Sequence, residues 1–244
     1  MVDFKKLRIN NILLAKKTIR EAVCEDDFII NSINNIEDLA KVANVLCKRL
    51  RQWYSLYLPE MYNKIGDNEA FVRLVLKKDK NTLMKELKLS ETMGSDLSKN
   101  NLKPILALAS RIDSLYTLRN ELKDYLKKIM GVYCKNLLTL AGTVLGAKLI
   151  ESGGSLKKLA LMPSSTIQML GAEKALFRHL KSGARPPKHG IILQHPLVGG
   201  APKNKKGKAA RLLADKLSIA IRTDFFKGEF IGNKLKEELK KRLK

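Results

Sequence analysis

Cysteine, histidine and aromatic residues are scarce in this chain. Its 244 residues include three cysteines, three histidines and one tryptophan, and aromatic residues make up 6% of the total. Cys24, Cys47 and Cys134 are odd in number, lie far apart and form no C-x-x-C pair, which argues against a disulfide framework and against a zinc site. We therefore expect buried, reduced thiols in a cytosolic compartment.

Long hydrophobic runs and the common cofactor motifs are also missing. The apolar run 137–150 is too short to span a bilayer and contains Lys148, and no segment resembles a secretory signal. Neither G-x-x-x-x-G-K-[ST] nor G-x-G-x-x-G occurs, and His179, His189 and His195 have no H-E-x-x-H motif or carboxylate cluster around them. The sequence therefore predicts no metal and no cofactor.

Acidic residues do not balance the basic ones. Lysine and arginine number 47 against 24 aspartate and glutamate, a formal net charge of +23. Residues 1–150 contribute 26 − 17 = +9, whereas residues 151–244 contribute 21 − 7 = +14. Such an excess indicates a polyanionic partner that binds mainly the C-terminal part. A lysine-rich thermophile surface is the alternative, but such surfaces usually gain glutamate as well.

Two long helices are predicted from apolar residues that alternate at steps of three and four. The first begins after Ser32 and ends near Pro59; the second opens after Pro104 and is interrupted only by Arg119. The seam positions are Ile36, Leu39, Ala43, Leu46, Leu50, Trp53 and Tyr57, then Ile105, Leu108, Ile112, Leu115, Leu122, Leu126 and Ile129. They favour an antiparallel coiled-coil hairpin with shorter helices at its tip, over 68–78 and 81–89.

The predicted fold class is all-α. The segments are an amino-terminal helical segment (1–30), a coiled-coil domain with a helical tip (31–135), a compact helical domain (136–230) and a basic C-terminal helix (231–244). In the compact helical domain, the run 137–150 is predicted to be one helix with small residue pairs on one face. Ser155 is predicted to be the N-cap of a helix over 156–161.

A basic stripe is predicted on a helix over 166–181. Lys174, Arg178 and Lys181 fall within about 60° of each other, and Met169, Ala172, Leu176 and Leu180 gather on the opposite side as a packing face. Gly171 lies beside the stripe, where its missing side chain allows close approach of a backbone, a sugar or a helix. On charge alone, the favoured interpretation is a solvated amphipathic helix.

A second basic face is predicted on a helix over 207–225. Lys208, Arg211 and Arg222 share one quadrant with Asp215, which lies four residues after Arg211 and is placed to hold it. Lys203, Lys205 and Lys206 precede this helix in a loop and should add salt-dependent affinity rather than selectivity.

The stretch 150–226 resembles the Nop domain, which is named for the nucleolar and archaeal box C/D ribonucleoprotein core proteins. The resemblance rests on SSTIQMLGAEKALFRHLKSGARPPKHGIILQHPLV and APKNKKGKAARLLADKLSIAIRTDFF, with the GAEK run at 171–174 as its most specific part. It extends more weakly over most of residues 30–230. RQWYSLYLPE at 51–60 resembles the family's segment at the far end of the first coiled-coil helix, although packing at a helix end explains its aromatic residues equally well.

The resemblance implies that the protein recognises kink-turn or box C/D guide RNA jointly with a small ribosomal-protein-like primary binder. It also implies self-association or pairing through the coiled coil. Fibrillarin binding is doubtful on the sequence, since residues 1–30 are too few for the domain with which archaeal relatives dock it. The short basic tail favours an archaeal, cytoplasmic protein, with the nucleolus as the location in a eukaryote.

Charge and resemblance together predict two sets of site residues. The RNA- and ribonucleoprotein-binding set is Gln168, Gly171, Glu173, Lys174, Arg178, Lys181, Lys188, His189, His195, Lys205, Lys206, Lys208, Arg211 and Arg222. The dimerisation set is Leu46, Leu50, Trp53, Ile112 and Leu115.

The function favoured by the sequence is a non-catalytic assembly protein that supports guide-directed RNA 2'-O-methylation. Three alternatives stay open: a relative of the splicing factor that carries a Nop domain, an enzyme acting on nucleic acid, and a helical scaffold for acidic proteins. The enzyme would need a carboxylate pair, an activated nucleophile or a glycine-rich cofactor loop in the basic region, and none is clustered there.

Overall fold

The computed structural model describes residues 3–243, and within them it contains helices and no β-strand, which confirms the all-α prediction. The helices follow one another as α1 Phe4–Glu21, α2 Glu25–Tyr54, α3 Glu60–Lys64, α4 Asn68–Lys77, α5 Lys80–Glu86, α6 Lys99–Tyr133, α7 Lys135–Ala141, α8 Thr143–Gly153, α9 Leu156–Leu161, α10 Ser164–Met169, α11 Glu173–Ser182, a 3-10 turn Ile191–Gln194, α12 Pro196–Gly199, α13 Lys206–Phe225 and α14 Gly232–Leu243.

The chain forms two compact units. One comprises residues 34–124, and the other, called here the terminal unit, comprises residues up to 33 together with 125 onward. The boundaries fall within α2 and α6, so the first and second segments predicted from the sequence do not coincide with these units.

The 34–124 unit is built on residues from both heptad helices. Ala43, Leu50, Ile105 and Ile112 are buried in a single apolar cluster to which the tip helices α4 and α5 also contribute. Helices were predicted for the tip at 68–78 and 81–89, and the structure has them at Asn68–Lys77 and Lys80–Glu86. The register shifts at the end of α2, where Tyr54 is buried and Trp53 is exposed.

Two arginines fix this unit from within. The buried Arg51 donates from Nε to Asn68 Oδ1 at 2.9 Å, and its guanidinium lies 4.3 Å from the centroid of the Phe71 ring. Arg119, which interrupts the second heptad run, pairs through Nη2 with Glu69 Oε2 at 2.6 Å. A cation at a seam position is therefore accommodated by a carboxylate from α4.

Only some of the predicted dimerisation residues are accessible to a second chain. Leu50 and Ile112 are fully buried within the 34–124 unit, so their contribution is to its core. Leu46 and Leu115 are half-buried against the same core, and Trp53 is exposed. A contact between copies through this unit would have to use its exposed residues.

Both long helices begin earlier than the heptads indicate. The helix predicted after Ser32 starts at Glu25, where Asp27 Oδ2 accepts a hydrogen bond from Cys24 N at 3.0 Å and acidic residues fill the first turn. The helix predicted after Pro104 starts at Lys99 and contains that proline in its second turn. Proline lacks the N–H that would donate to the carbonyl four residues earlier, so one intrahelical hydrogen bond is missing at this point. Apolar periodicity marks where a helix packs, not where it begins.

The terminal unit contains a helix break that was not predicted. The run expected as one helix over 137–150 is divided between α7 and α8 by Gly142, whose φ of +76° lies in the left-handed region. The small pairs at 141–142 and 146–147 therefore do not share one helix face. The predicted cap is confirmed: Ser155 Oγ accepts from Lys158 N at 3.1 Å and α9 spans Leu156–Leu161.

A pair of polar side chains, the buried Asn136 and the half-buried Asp224, holds the terminal unit together. Asp224, near the end of α13, accepts hydrogen bonds from the backbone N–H groups of Asn136 and Leu137 at 3.1 and 2.8 Å and so caps α7. The Asn136 side chain is fully buried, donates to Asp224 Oδ1 at 2.8 Å and accepts from Ile231 N and Gly232 N, each at 2.8 Å. Burial raises the pKa of Asp224, while these donors favour its ionised form.

The basic C-terminal helix is part of this same unit. Leu235 and Leu239 of α14 are buried, and the buried Lys216 of α13 pairs through Nζ with Glu238 Oε2 at 2.6 Å. The boundary drawn after residue 230 therefore lies inside a packed unit rather than before a separate tail.

Cysteine placement agrees with expectation at two of three positions. Cys47 and Cys134 are buried free thiols, but Cys24 is exposed at the start of α2. Burial raises the pKa of the Cys134 thiol well above its usual range, which keeps it protonated.

We expect Asn136→Ala to lower the free energy of unfolding by about 3 kcal/mol, because it leaves the backbone N–H groups of Ile231 and Gly232 without an acceptor. Urea denaturation followed by circular dichroism measures the change. Asn10→Ala, at an exposed position of α1, is the matched control and should alter stability by less than about 0.5 kcal/mol. Equal effects of the two substitutions would contradict the role given to the buried asparagine.

Candidate functional site

The predicted basic helix over 166–181 is two helices. α10 ends at Met169, and α11 begins at Glu173. Gly171 lies between them with a φ of +80°, and a Cβ there would come within 2.3 Å of Ile191 Cγ2. The close approach foreseen at Gly171 is therefore made by the protein itself. Glu173 Oε1 accepts from Gly171 N at 2.7 Å, which fixes the turn before α11.

α11 is exposed along its whole length. None of its residues is buried; Phe177 and Leu180 are 60% and 70% exposed, and Leu176 lies at 36%. The predicted packing face is divided: Ala172 is buried and Met169 half-buried, but the expectation was wrong for Leu176 and Leu180, because the turn at Gly171 directs α11 away from the core that α10 joins. Lys174, Arg178 and Lys181 are exposed as predicted. The helix thus presents a cationic stripe and an uncovered apolar face together.

The loop after α11 is tied to α10 by its backbone. Gln168 Nε2 donates to the Lys188 carbonyl at 2.7 Å, Gly190 N donates to the Gln168 carbonyl at 2.8 Å, and Ile191 N donates to the Leu170 carbonyl at 2.8 Å. A Cβ at Gly190 would lie 1.8 Å from the Leu170 carbonyl oxygen, so only glycine allows this approach. Gln168 therefore positions the loop, and its predicted contact with RNA stays a prediction.

Two adjoining clefts open between this loop and the start of α13. The loop cleft, of about 650 Å³, is lined by Arg185, Pro186, Lys188, His189, Ala201, Lys203 and Lys206. The helix cleft, of about 370 Å³, is lined by Gln168, Pro187, Lys188, Gly207 and Arg211. Lys188 borders both. No carboxylate lines either cleft, so the cations there are available to a polyanion.

The structure separates the residues predicted on α13. Arg211 borders the helix cleft, whereas Lys208 and the preceding Lys205 line a different cleft. In the part of the chain that the structure describes, the expected ion pair between Arg211 and Asp215 is not formed. Arg222 is exposed but donates from Nε to the Ala160 carbonyl at 3.1 Å, so it also caps the end of α9. If Arg222 contacts RNA as predicted, it does so in addition to this hydrogen bond within the protein.

His195 is bound from both sides of its ring. Its Nε2 lies 3.0 Å from the Leu140 carbonyl, and Nδ1 accepts from Leu197 N at 3.2 Å, which caps α12. The carbonyl needs a donor and the N–H an acceptor, so the neutral tautomer with a proton on Nε2 satisfies both. Burial lowers the pKa of His195. A ring committed in this way positions the 3-10 turn and α12, and it has no nitrogen left for phosphate.

One cation of the loop cleft was missed by the sequence analysis. Arg185 lines this cleft but is absent from the predicted set, whereas Lys203, which also lines it, was expected to add salt-dependent affinity. No sequence pattern showed that the loop after α11 folds back onto α10, because that arrangement depends on the contact between Gly190 and Leu170.

Two further properties concern the described part of the chain. Within residues 3–243 no group of three or more His, Cys, Asp and Glu side chains is arranged to hold a metal ion. No helix in the same range has the length and hydropathy needed to span a membrane.

The clefts of this helical unit are lined by cations from two loops and a helix and by no carboxylate. These are features expected of a polyanion-binding protein. The sequence matches the Nop family, described as "snoRNA binding domain, fibrillarin", over residues 35–244. The chain belongs to this family.

Similar proteins occur in archaea and eukaryotes. An uncharacterised NOP5 family protein of Methanocaldococcus jannaschii is 44% identical over 256 residues, covering 98% of this chain and 62% of that protein. Nucleolar protein 56 of Homo sapiens is 37% identical over 89% of this chain and 41% of its own length. Nucleolar protein 58 of Schizosaccharomyces pombe is 38% identical over 82% and 42%, respectively. The chain thus spans 41% to 62% of the length of these relatives.

A solved structure shows the same fold. A chain in the crystal structure of a fibrillarin/Nop5p complex superposes with a TM-score of 0.56 at 25% identity, and the match covers 98% of this chain and 77% of that one.

We expect Gly190→Ala to destabilise the terminal unit by about 2 kcal/mol, since the added methyl group overlaps the Leu170 carbonyl. Chemical denaturation measures the loss, and limited proteolysis should show faster cleavage within 183–205. Gly131→Ala, where a Cβ meets nothing within 4 Å, is the control and should be neutral or slightly stabilising. A Gly190→Ala protein as stable and as protease-resistant as the parent would refute the tie between loop and α10.

We expect stability to fall as the pH drops from about 6.5 toward 5 in a way that depends on His195. The folded protein holds its pKa below the usual 6.5, so within that window the unfolded chain binds the proton more readily. Replacing His195 with Asn should remove up to about 1 kcal/mol of this pH dependence. The comparison is made by urea denaturation at pH 7.5, 6.5 and 5.5. His189→Asn is the control and should retain the parent's dependence; loss of the dependence in that control alone would overturn the assignment.

Proposed function

We propose that this chain is a non-catalytic RNA-binding assembly protein of a box C/D-type ribonucleoprotein. It recognises kink-turn RNA jointly with a small, ribosomal-protein-like primary binder and supports guide-directed RNA 2'-O-methylation. The observation that carries the proposal is the convergence of α10, the 183–190 loop and the start of α13 on two adjoining clefts lined by cations without a carboxylate.

The chemistry of the clefts suits a phosphate backbone. Lys188 comes from the loop after α11, Lys206 and Arg211 come from the start of α13, and the three border a continuous surface. Separated cations of this kind neutralise successive phosphates and release counterions, which supplies affinity with little sequence preference. Selectivity must then come from the shape of the RNA and from what is already bound to it.

The exposed face of α11 supports joint recognition of RNA and protein. Lys174 and Arg178 would face phosphate, while Phe177 and Leu180 offer an apolar surface on the same ten-residue helix. RNA alone does not need such a surface, whereas a protein held next to the RNA would cover it. A composite surface therefore explains why one short helix carries both kinds of side chain uncovered.

Self-association through the coiled coil is the second element of the proposal. The 34–124 unit exposes Val42, Val45 and Trp53 on α2 and Leu118 on α6, with exposed fractions from 41% to 64%. These residues, rather than the buried Leu50 and Ile112, would meet a second copy or a paralogue.

Fibrillarin is included among the proposed partners, which revises the doubt raised from the sequence. The similarity to a chain of a fibrillarin/Nop5p complex and the description of the matched family both support it. Relatives named nucleolar proteins support a nucleolar location if the source is eukaryotic; for an archaeal source we propose the cytoplasm.

We expect the triple variant Lys174→Ala, Arg178→Ala, Arg211→Ala to bind a kink-turn RNA with its primary binder at least about tenfold more weakly than the parent, because three phosphate contacts are removed. Gel shifts over a range of salt concentrations measure this as a weaker supershift and a shallower salt dependence. Lys77→Ala, Lys85→Ala, Arg111→Ala, all exposed in the 34–124 unit, remove the same charge and serve as the control.

Each alternative function predicts a different outcome of the same experiment. No supershift by the parent, with binding to the primary binder alone, favours a scaffold for proteins; processed RNA after addition of magnesium or cofactor favours an enzyme. Normal binding by the Lys174, Arg178, Arg211 variant would reject this site while leaving the family unchanged.

A further inference from the structure

A third cleft, called here the α14 cleft, lies beside the start of α13. Its volume is about 360 Å³, and it is lined by Pro196, Leu197, Gly200, Ala201, Pro202, Lys205, Lys208, Ala209 and Arg242. Its charged members are Lys205, Lys208 and Arg242, and no carboxylate is among the lining residues. Its count of three lysine and arginine residues lies between the four of the loop cleft and the two of the helix cleft.

The α14 cleft is on a different flank of α13. At about 100° per residue, Lys206, Gly207 and Arg211, which border the other clefts, fall within about 140° of each other. Lys208 and Ala209 occupy the remaining sector. The segment from Ala201 to Lys206 forms the ridge between the two sides, since Ala201 lines both the loop cleft and the α14 cleft.

Arg242 reaches this cleft because α14 is packed onto the domain. Leu235 and Leu239 are buried beneath the helix, and Glu238 binds the buried Lys216 at 2.6 Å. These contacts set the direction of α14 and carry its last turn to the start of α13, far away in sequence. Glu238, one turn before Arg242, lies within range of its charge but is already held by Lys216.

A guanidinium that lines the same cleft as two lysines is repelled by them, and an anion bound among the three groups would offset that repulsion. The three groups also differ in what they offer: two lysines act as mobile point charges, and an arginine can donate two parallel hydrogen bonds to phosphate oxygens.

From this arrangement we infer that the α14 cleft is a second phosphate-binding site, which takes the backbone of an RNA segment running past the primary junction. The inference rests on the proposed function and extends it. RNA bound in the loop and helix clefts crosses the Ala201–Lys206 ridge. On the other flank of α13, Lys205, Lys208 and Arg242 bind its phosphates. The C-terminal helix is then a part of the RNA-binding surface and not a solvated tail.

The test is a salt titration of RNA binding by Lys208→Gln, Arg242→Gln. The probe is a kink-turn RNA with one stem extended by about one helical turn, with the primary binder already bound. Two lost phosphate contacts should reduce the slope of log affinity against log salt by about 2 and weaken binding at low salt by about tenfold or more. The control, Lys240→Gln, Lys241→Gln, removes the same charge from the same turn of α14 without altering the cleft lining, and its slope should change by less than about 0.5.

Other outcomes overturn the inference. An unchanged slope, or an equal change in the control, would show that the cleft binds no specific phosphate. Weaker binding to the primary binder in the absence of RNA would make the cleft a protein contact instead. Circular dichroism melting of each variant ensures that a loss of binding is not unfolding. If the parent itself ignores the RNA complex, the proposed function fails; if the parent binds and the cleft variant binds equally well, only this inference fails.

Discussion

The hydrogen-bonded pair formed by the buried Asn136 and the half-buried Asp224 is the interaction on which the rest of the terminal unit depends. It joins the start of α7, the end of α13 and the turn that leads into α14. A fully buried amide with a complete set of partners allows only one arrangement, because any other would leave several buried polar groups unsatisfied. The long α13 is thereby fixed at its C-terminal end, and its N-terminal end can act as the rigid border of every cleft described above.

The three clefts around the start of α13 are cationic because acidic side chains are absent from their linings. The chain has 24 acidic residues, and none lines these three clefts; in the terminal unit Glu173 holds Gly171 N, Glu238 holds Lys216 and Asp224 caps α7. Cations around the start of α13 consequently repel one another. The apolar core and the polar pair must offset that repulsion in the absence of a polyanion, and a bound phosphate backbone would relieve it.

Helices and their charge could be read from the sequence wherever a local rule was sufficient. The Ser155 cap, the tip helices and the position of α13 followed from hydrogen-bonding side chains and apolar spacing within a few residues. The breaks at Gly142 and Gly171 could not be read in this way, because glycine inside an apolar pattern is compatible with a helix interior as well as with a left-handed turn. Missing the second break led to the wrong expectation of a packed face on α11.

Composition, heptads and glycine-punctuated motifs by themselves determined an all-helical, strongly basic chain, its family and the segments that carry its cations, since these depend on residue type and spacing along the chain. Only the tertiary structure decided what each polar side chain does. It committed both nitrogens of His195 and the Nε of Arg222 to carbonyl or N–H groups of the protein, placed Lys208 in a different cleft from Arg211, and brought Arg242 to the same cleft as Lys205. The reason is physical: a hydrogen bond or a shared cleft requires proximity in space, and proximity between distant segments is set by how the helices pack.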